Sequence, residues 1–217
     1  MATVVSQDST TVRRLRLGVG ILGMALPFVV TIGYAIEVGE ARLLNSISGA
    51  YYTDMRDVFV GSLCAIGVFL ICYRYAKPDN VLSTLAGIAA IVVALFPTTP
   101  KGEQILVSAA DDAKGIVHGV AAIVLFLLLA AFCFFLFPRA TVPGPKTAMK
   151  KTRNVIYVIS GIAILAGLGL AALGSRILPD SVVDTVRPLL WGESVAVFAF
   201  GIAWFVKSNT IFRDHES

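Results

Sequence analysis

A histidine and a glutamate within otherwise apolar stretches are the residues best placed to do chemistry. His118 and Glu193 each lie about one helical turn inside such a stretch. An ionisable side chain inside a membrane is costly and usually faces the protein interior. These two residues are therefore the strongest indications of a functional site in the sequence.

Other polar residues near the same helix ends extend the candidate site. Positions 111, 114 and 118 share a helical face, so Asp111, Lys114 and His118 are expected to point together into the protein. Glu193 is then expected to pair with His118 or with Arg56. The mixed charges suit a zwitterionic or polar headgroup better than a simple anion. The candidate ligand-binding residues are Tyr51, Tyr52, Asp54, Arg56, Asp57, Asp111, Lys114, His118, Trp191 and Glu193, with Thr98, Thr99, Lys101 and Glu103 beside them.

Each of these residues also has a structural explanation that the sequence leaves open. Asp57 and Asp111 or Asp112 are equally explained as caps of helix N-termini, where a carboxylate stabilises the helix dipole. The aromatic candidates lie where a belt of tyrosine and tryptophan is expected at a membrane interface. Glu193 is also explained by a buried structural ion pair.

A metal site needs more ligands than this sequence offers at one end of the helices. His118 would need carboxylates from several helices, whereas zinc sites normally use more histidine or cysteine. The other histidine, His215, lies in a tail on the opposite predicted side. Cys64, Cys72 and Cys133 lie inside apolar stretches, where they are typical small buried hydrophobic residues. Since the sequence also has no Gly-rich phosphate loop or nucleophile elbow, we predict no metal and no cofactor.

Membrane-spanning helices must position these residues. Of the 217 residues, 57% are hydrophobic and 15% are charged, and the mean hydropathy is +0.82. A soluble domain carries about 25% charged residues, so lipid must cover the apolar surface here. We predict an all-α polytopic membrane protein, a single-domain bundle of six transmembrane helices at about 17–36, 58–73, 81–97, 115–137, 155–175 and 188–206. The second stretch is short and is expected to extend into its polar flank near Asp57.

The distribution of basic residues predicts the orientation of the bundle. With the N-terminus inside, twelve Lys and Arg side chains flank the inner helix ends and six flank the outer ends. The densest basic group runs from Lys146 to Arg153. The first stretch is longer than the apolar core of a signal peptide, so we expect it to remain as a helix. Both termini are therefore predicted to be cytoplasmic, in a multi-pass protein of the bacterial cytoplasmic (inner) membrane.

One segment carries a resemblance to known proteins. Residues 46–61, SISGAYYTDMRDVFVG, lead directly into an apolar helix. With Asp79 and Asn80 and the ALFPT exit at residues 94–98, this segment resembles a family of uncharacterised bacterial six-helix integral membrane proteins. It is more distantly similar to DRAM-like and Sfk1-like membrane proteins. The resemblance implies a fold and not an activity, because the chain lacks the histidine set of the ceramidase-like and adiponectin-receptor-like hydrolases sometimes grouped with such families.

The sequence supports three functional hypotheses. The leading one is a non-enzymatic, lipid-interacting or transport-related protein that binds a lipid headgroup or small amphiphile in an outward-facing polar pocket. The alternative is a membrane-embedded lipid hydrolase in which His118 and two carboxylates hold a metal or act as acid and base. The third is a structural partner of another membrane protein.

The predicted partners follow from these hypotheses. They are membrane lipids and a small amphiphilic ligand, with a second copy of the chain or another membrane protein left open. Nucleic acid is not among them. Although the net charge is +4, the basic residues lie between apolar runs and form no continuous patch.

Overall fold

The protein is built from α-helices. The computed structural model describes residues 2–73, 77–100, 108–139 and 147–208 and, within them, the side chains of all but residues 2–9, 77–79 and 175. These ranges contain no β-strand. The helices in chain order are α1 (Ala2–Val38), α2 (Arg56–Cys72), α3 (Lys77–Leu95), α4 (Ala109–Ala131), α5 (Ala148–Ile177), α6 (Asp180–Val186) and α7 (Pro188–Lys207). A 3₁₀ helix (Ser48–Tyr52) lies between α1 and α2, and a π-helical turn (Phe132–Leu136) continues α4.

Four of the described helices are long and apolar enough to cross a membrane. They are Thr10–Val38 in α1, Ala109–Leu136 in α4 with its π-helical turn, Ala148–Gly174 in α5 and Pro188–Lys207 in α7. Each supplies the roughly 20 residues that a helix needs to cross the hydrocarbon core. The prediction of an all-helical membrane protein is therefore confirmed.

Helices α2 and α3 coincide with two further predicted spans but are shorter. Helix α2 has 17 residues, and it begins at Arg56 so that Asp57 lies in its first turn. The second predicted stretch therefore extends into its polar flank, as expected. The apolar part of α3, Asn80–Leu95, is also shorter than the four longer helices. The structure thus has a helix at each of the six predicted stretches.

The outer surface of the bundle carries large apolar side chains. Phe28 is 56% exposed, Ile36 is 76% exposed and Ile116 is 67% exposed. Similar residues recur on α5, where Ile159 is 60% exposed. A water-soluble monomer seldom exposes apolar side chains over so much of its surface. Lipid is the environment that suits this surface.

Helices α1 to α5 and α7 form a closed ring. Helix α7 packs against α5 on one side and α1 on the other, and α2, α3 and α4 complete the ring from α1 back to α5. The α5–α7 contact depends on glycine. A Cβ atom added to Gly167 would lie 2.5 Å from the carbonyl oxygen of Gly192, and the converse distance is also 2.5 Å. Small residues of this kind allow helix backbones to approach closely in membranes.

Successive long helices run in opposite directions, so the ring has two distinct ends. At one end, the connection between α1 and α2 contacts the start of α7 through Ser48 and Glu193. At the other end, Arg16 of α1 contacts Tyr73 after α2 and the carbonyl of Lys207 at the end of α7. We call these the pocket end and the basic end.

Local sequence signals set two of the helix starts at the pocket end. Helix α4 begins with a capping box, in which the Ser108 hydroxyl accepts from the Asp111 amide and the Asp111 carboxylate accepts from the Ser108 amide. The capping interpretation of Asp111 is therefore confirmed. The short helix α6 was not predicted. It ends at Val186, and the next residue, Arg187, has a left-handed φ of 52° directly before Pro188 opens α7. Proline is well suited to that first position.

Candidate functional site

A polar pocket of about 220 Å³ opens at the pocket end. The connection between α1 and α2 forms most of its wall, and the exit from α3 contributes two threonines. The lining residues are Tyr34, Arg42, Leu43, Leu44, Asn45, Ser46, Gly49, Tyr52, Thr53, Thr98, Thr99 and Leu189. Arg42 therefore lines the same space as several residues with hydroxyl or amide side chains.

Contacts on three sides hold the wall of this pocket in place. Ile47, at the start of the 3₁₀ helix, is only 3% exposed and joins the hydrophobic core. Tyr52 donates its hydroxyl to the carbonyl of Thr98 at 2.6 Å, which ties the connection to α3. Arg187 donates to the carbonyl of Leu44 at 3.1 Å, which ties it to α7. The connection is thus a built part of the bundle.

The same connection also lines a smaller, mainly apolar cavity inside the ring. Its volume is about 50 Å³, whereas roughly 10–15 Å³ is enough for one water molecule. Apolar side chains from α1, α2, α3, α4 and α7 line most of it. Its polar lining residues are Ser48, His118 and Glu193. Both ionisable residues that the sequence singled out therefore face one cavity.

Glu193 is held at the edge of the cavity by the 3₁₀ helix. Its carboxylate accepts from the Ser48 amide at 3.2 Å and from the Ser48 hydroxyl at 3.0 Å. Hydrogen bonds to an ionised carboxylate are stronger than those between neutral groups. Sequence analysis expected His118 or Arg56 in this role and did not select Ser48. The hydrogen bonds from Ser48 thus reach Glu193 across 145 positions of the chain.

The hydrogen bonds to Glu193 continue toward the polar pocket. The hydroxyl oxygens of Ser48 and Ser46 lie 3.3 Å apart, and the Ser46 hydroxyl accepts from the Gly49 amide at 2.8 Å. Ser46 and Gly49 line the polar pocket, whereas Ser48 and Glu193 line the apolar cavity. Two serine hydroxyls therefore connect the two spaces.

His118 is buried, with 6% of its surface exposed. Its Nδ1 lies 3.1 Å from the carbonyl oxygen of Val93 and 2.7 Å from that of Phe96. These carbonyls belong to the C-terminal end of α3, where the last carbonyls of a helix have no partner within it. Since both neighbours are acceptors, Nδ1 carries the proton and a neutral ring keeps its lone pair on Nε2.

Asp111 and Lys114 lie outside the cavity that His118 lines. The Lys114 ammonium is 3.3 Å from the Asp111 carboxylate, and the two side chains are 48% and 35% exposed. The three residues share a helical sequence spacing, but only His118 is buried. An exposed pair one turn apart contributes little stability. The pair therefore belongs to the rim of the pocket end.

The remaining predicted site residues also lie on the rim. Arg56 donates to the hydroxyl of Tyr51 at 2.8 Å, and its guanidinium is 4.4 Å from the centre of the same ring. Asp54 and Asp57 are exposed. Trp191 is 50% exposed, in agreement with an aromatic belt at the membrane interface. Lys101 and Glu103 lie outside the described residues.

Tyr52 is not on the rim: together with Thr98 and Thr99 it lines the polar pocket. Partial burial, followed by the nearby Asp111 carboxylate and Tyr51, raises the pKa of Tyr52 above its ordinary value of 10.0. The phenol therefore stays protonated and remains a donor to Thr98 at physiological pH.

Sequence analysis missed several lining residues. Arg42 was counted only as a basic residue outside the helices, and Asn45 was not considered. Ser46 and Ser48 belong to the segment that carries the resemblance, but nothing in one sequence shows that Ser48 contacts Glu193. The available signal was the length of this connection, since long ordered connections often carry function.

The basic end holds cations among aromatic rings. Arg16 and Arg153 are 9% and 7% exposed. Arg16 donates to the Tyr73 hydroxyl at 2.9 Å, and the Lys207 ammonium lies 5.3 Å from the centre of the Phe137 ring. In the sequence these residues indicate only the orientation of the bundle, whereas the structure packs them into its end. His215, Arg74, Lys146 and Arg213 lie outside the described residues.

A metal-binding cluster is not formed by the part of the chain that the structure describes. There, no three residues of the His, Cys, Asp and Glu types come close enough together to hold an ion. His118 and Glu193 line the same cavity, but the Nδ1 atom of the histidine is occupied by backbone carbonyls. What these side chains can do is bind polar groups and exchange protons.

Comparison of the chain with protein-family models, with curated proteins and with solved structures finds no match. The resemblance of residues 46–61 to a six-helix family therefore stays a prediction. The fold places the chain among α-helical membrane proteins, with a polar pocket next to a mainly apolar cavity.

Proposed function

We propose that the chain crosses the bacterial cytoplasmic membrane six times and binds a lipid headgroup or small amphiphile in the polar pocket. The closed antiparallel ring supports six crossings, because α2 and α3 lie between neighbours long enough to span. A short helix is accommodated by local thinning of the bilayer or by its polar flanks. The basic end then faces the cytoplasm, in agreement with the positive-inside rule, and the pocket end faces outward.

The observation that carries this proposal is that the polar pocket and the apolar cavity lie next to each other. The polar pocket of about 220 Å³ presents Arg42, Asn45 and threonine hydroxyls, and the apolar cavity begins on the other side of Ser46 and Ser48. An arginine side chain recognises phosphate or carboxylate oxygens through paired hydrogen bonds. The volume is below the roughly 300 Å³ typical of drug-sized ligands, so it suits a headgroup better than a whole lipid.

The test is to identify the lipids that copurify with the protein in native membrane particles. Mass spectrometry should find one headgroup class enriched over the surrounding membrane. Arg42→Ala should remove that enrichment, because it removes the cation from the pocket. Arg176→Ala is the matched control, since Arg176 is an exposed arginine in the last turn of α5, at the same end and outside the pocket. Equal lipid content in the wild type and Arg42→Ala would contradict the proposal.

A further inference from the structure

The apolar cavity inside the ring has a polar connection to the outside pocket. Ser46 lines the polar pocket, its hydroxyl is 3.3 Å from that of Ser48, and Ser48 is 3.0 Å from the Glu193 carboxylate. A hydroxyl has one proton to donate and two lone pairs. When Ser48 donates to Glu193, the 3.3 Å contact is therefore made by Ser46 donating to Ser48. The three groups form one directed chain.

Most of the residues that line the cavity beside Glu193 are apolar, and Glu193 itself is partly exposed. Helices α1, α2 and α3 contribute apolar residues such as Leu26, Phe59 and Val93 to the cavity lining, and α4 contributes His118 as its ionisable residue. Helix α5 meets the other face of α7 at the glycine contact. On α7 itself, Arg187 precedes Glu193 by six positions and donates to the carbonyl of Leu44.

We propose that Glu193 is a proton-exchange site within the membrane, and that Ser46 and Ser48 carry protons between it and the water in the polar pocket. The site binds a proton, and it does not depend on which ligand occupies the pocket. An ionised carboxylate beside an apolar cavity is costly, so a route for protons gives the group a second, neutral state.

The transfer conserves protons at every atom. A hydronium ion in the polar pocket gives a proton to the Ser46 hydroxyl oxygen, which keeps the Gly49 amide on its other lone pair. Ser46 passes its original proton to Ser48, and Ser48 passes its own proton to the Glu193 carboxylate. Each serine ends neutral, the pocket keeps a water molecule and Glu193 becomes a carboxylic acid. Release of the proton follows the same steps in reverse.

Protonation changes how the pocket wall is held. A neutral carboxyl accepts hydrogen bonds less strongly than a carboxylate, and it also needs an acceptor for its own proton. The Ser48 amide and hydroxyl are therefore held less firmly in the acidic state. The 3₁₀ helix is thereby linked to the protonation state of a residue inside the ring.

The test is infrared spectroscopy of the whole protein in lipid membranes. Wild-type protein at acidic pH should show a carbonyl band of a protonated carboxylic acid that is absent from Glu193→Gln. On transfer to heavy water this band should shift rapidly. In Ser46→Ala the shift should be about tenfold slower or more. The substitution removes one hydrogen bond from the proton path, and a barrier raised by the free energy of one hydrogen bond slows a rate by about this factor.

Ser160→Ala is the matched control, because Ser160 is a buried serine on α5 outside both spaces. It should leave the exchange rate unchanged. If Ser46→Ala does not fold, Ser46→Cys, which is close in size and only a weak donor, serves the same purpose. The proposal is overturned if no band depends on Glu193 while the protein stays folded. It is also overturned if the folded Ser46 variant exchanges as fast as wild type. Neither outcome bears on the lipid enrichment expected from Arg42.

Discussion

Glu193 and Ser48 join the last helix of the ring to the connection after the first. The carboxylate accepts both the amide of Ser48 at 3.2 Å and its hydroxyl at 3.0 Å. One side chain therefore satisfies two donors of a residue that is itself only 6% exposed. This contact adds to those of Ile47, Tyr52 and Arg187, and it brings the connection against the apolar cavity as well as the polar pocket.

Replacing Glu193 by alanine should destabilise the protein. It leaves the buried amide of Ser48 without its acceptor, a loss of about 1–3 kcal/mol in the free energy of unfolding. Glu193→Gln keeps a carbonyl acceptor, so its loss should be smaller, below about 1 kcal/mol. Unfolding in detergent followed by circular dichroism measures both. Equal stability of the alanine and glutamine variants would show that the hydrogen bonds to Ser48 contribute little.

Replacing His118 by leucine should also be destabilising. Leucine keeps much of the side-chain volume but removes the donor that serves the carbonyls of Val93 and Phe96. We expect a loss of about 1–3 kcal/mol and earlier fraying of the end of α3. Hydrogen exchange should show weaker protection at the C-terminal turn of α3 than at its start. Unchanged protection at that turn would mean that His118 does not hold the helix end.

The α5–α7 contact gives a sharp comparison between two glycines of one helix. Gly167→Ala places a Cβ atom 2.5 Å from the carbonyl oxygen of Gly192, whereas a Cβ atom at Gly169 meets nothing within 4 Å. Gly167→Ala should therefore cost about 1–3 kcal/mol through overpacking. Gly169→Ala should be neutral or stabilise by up to about 1 kcal/mol, because alanine is the better helix former. Thermal unfolding of both variants distinguishes packing from helix propensity.

The stability of the pocket wall should fall at alkaline pH. The raised pKa of Tyr52 means that the folded state holds the phenolic proton more tightly than the unfolded state, whose pKa is near 10.0. The contribution is therefore complete below pH 10 and is lost as the pH rises from there through the pKa of the folded state. Between about pH 9 and pH 11, the midpoint of thermal unfolding should fall less in Tyr52→Phe than in wild type. An equal fall in both proteins would show that Tyr52 does not cause the loss of stability.

The fold was largely predictable because membrane helices follow a simple rule. Backbone polar groups must be satisfied within each segment, so long apolar runs become helices wherever they occur. The predicted stretch 188–206 falls within the helix at 188–207, and the stretch 115–137 extends only one residue beyond the helical segment at 109–136. The short helix α6 was missed because it has no apolar run and no buried residue.

The candidate site was predictable only in part. His118 and Glu193 were found because a charge within an apolar run is rare for a physical reason. Helical spacing groups Asp111 and Lys114 with His118. Spacing predicts which face of the helix a residue lies on, but it does not predict whether that part of the helix is buried by its neighbours. Ser48 was not selected as a site residue, because its role depends on a contact 145 positions away. A hydrogen bond of that range leaves no trace in local sequence pattern.

The carbonyl of Phe137, the residue after the π-helical turn, joins three helices at the basic end. The carbonyl oxygen of Phe137 accepts hydrogen bonds from the ammonium groups of Lys150 at 3.3 Å and Lys207 at 3.1 Å. This one carbonyl therefore links the end of the α4 segment to α5 and α7. Acidification leaves an ammonium and a backbone carbonyl unchanged, whereas in the proton-exchange proposal it converts Glu193 to a carboxylic acid. That proposal therefore places the response to acid at the Ser48 contact of the pocket end and none at the Phe137 contact of the basic end.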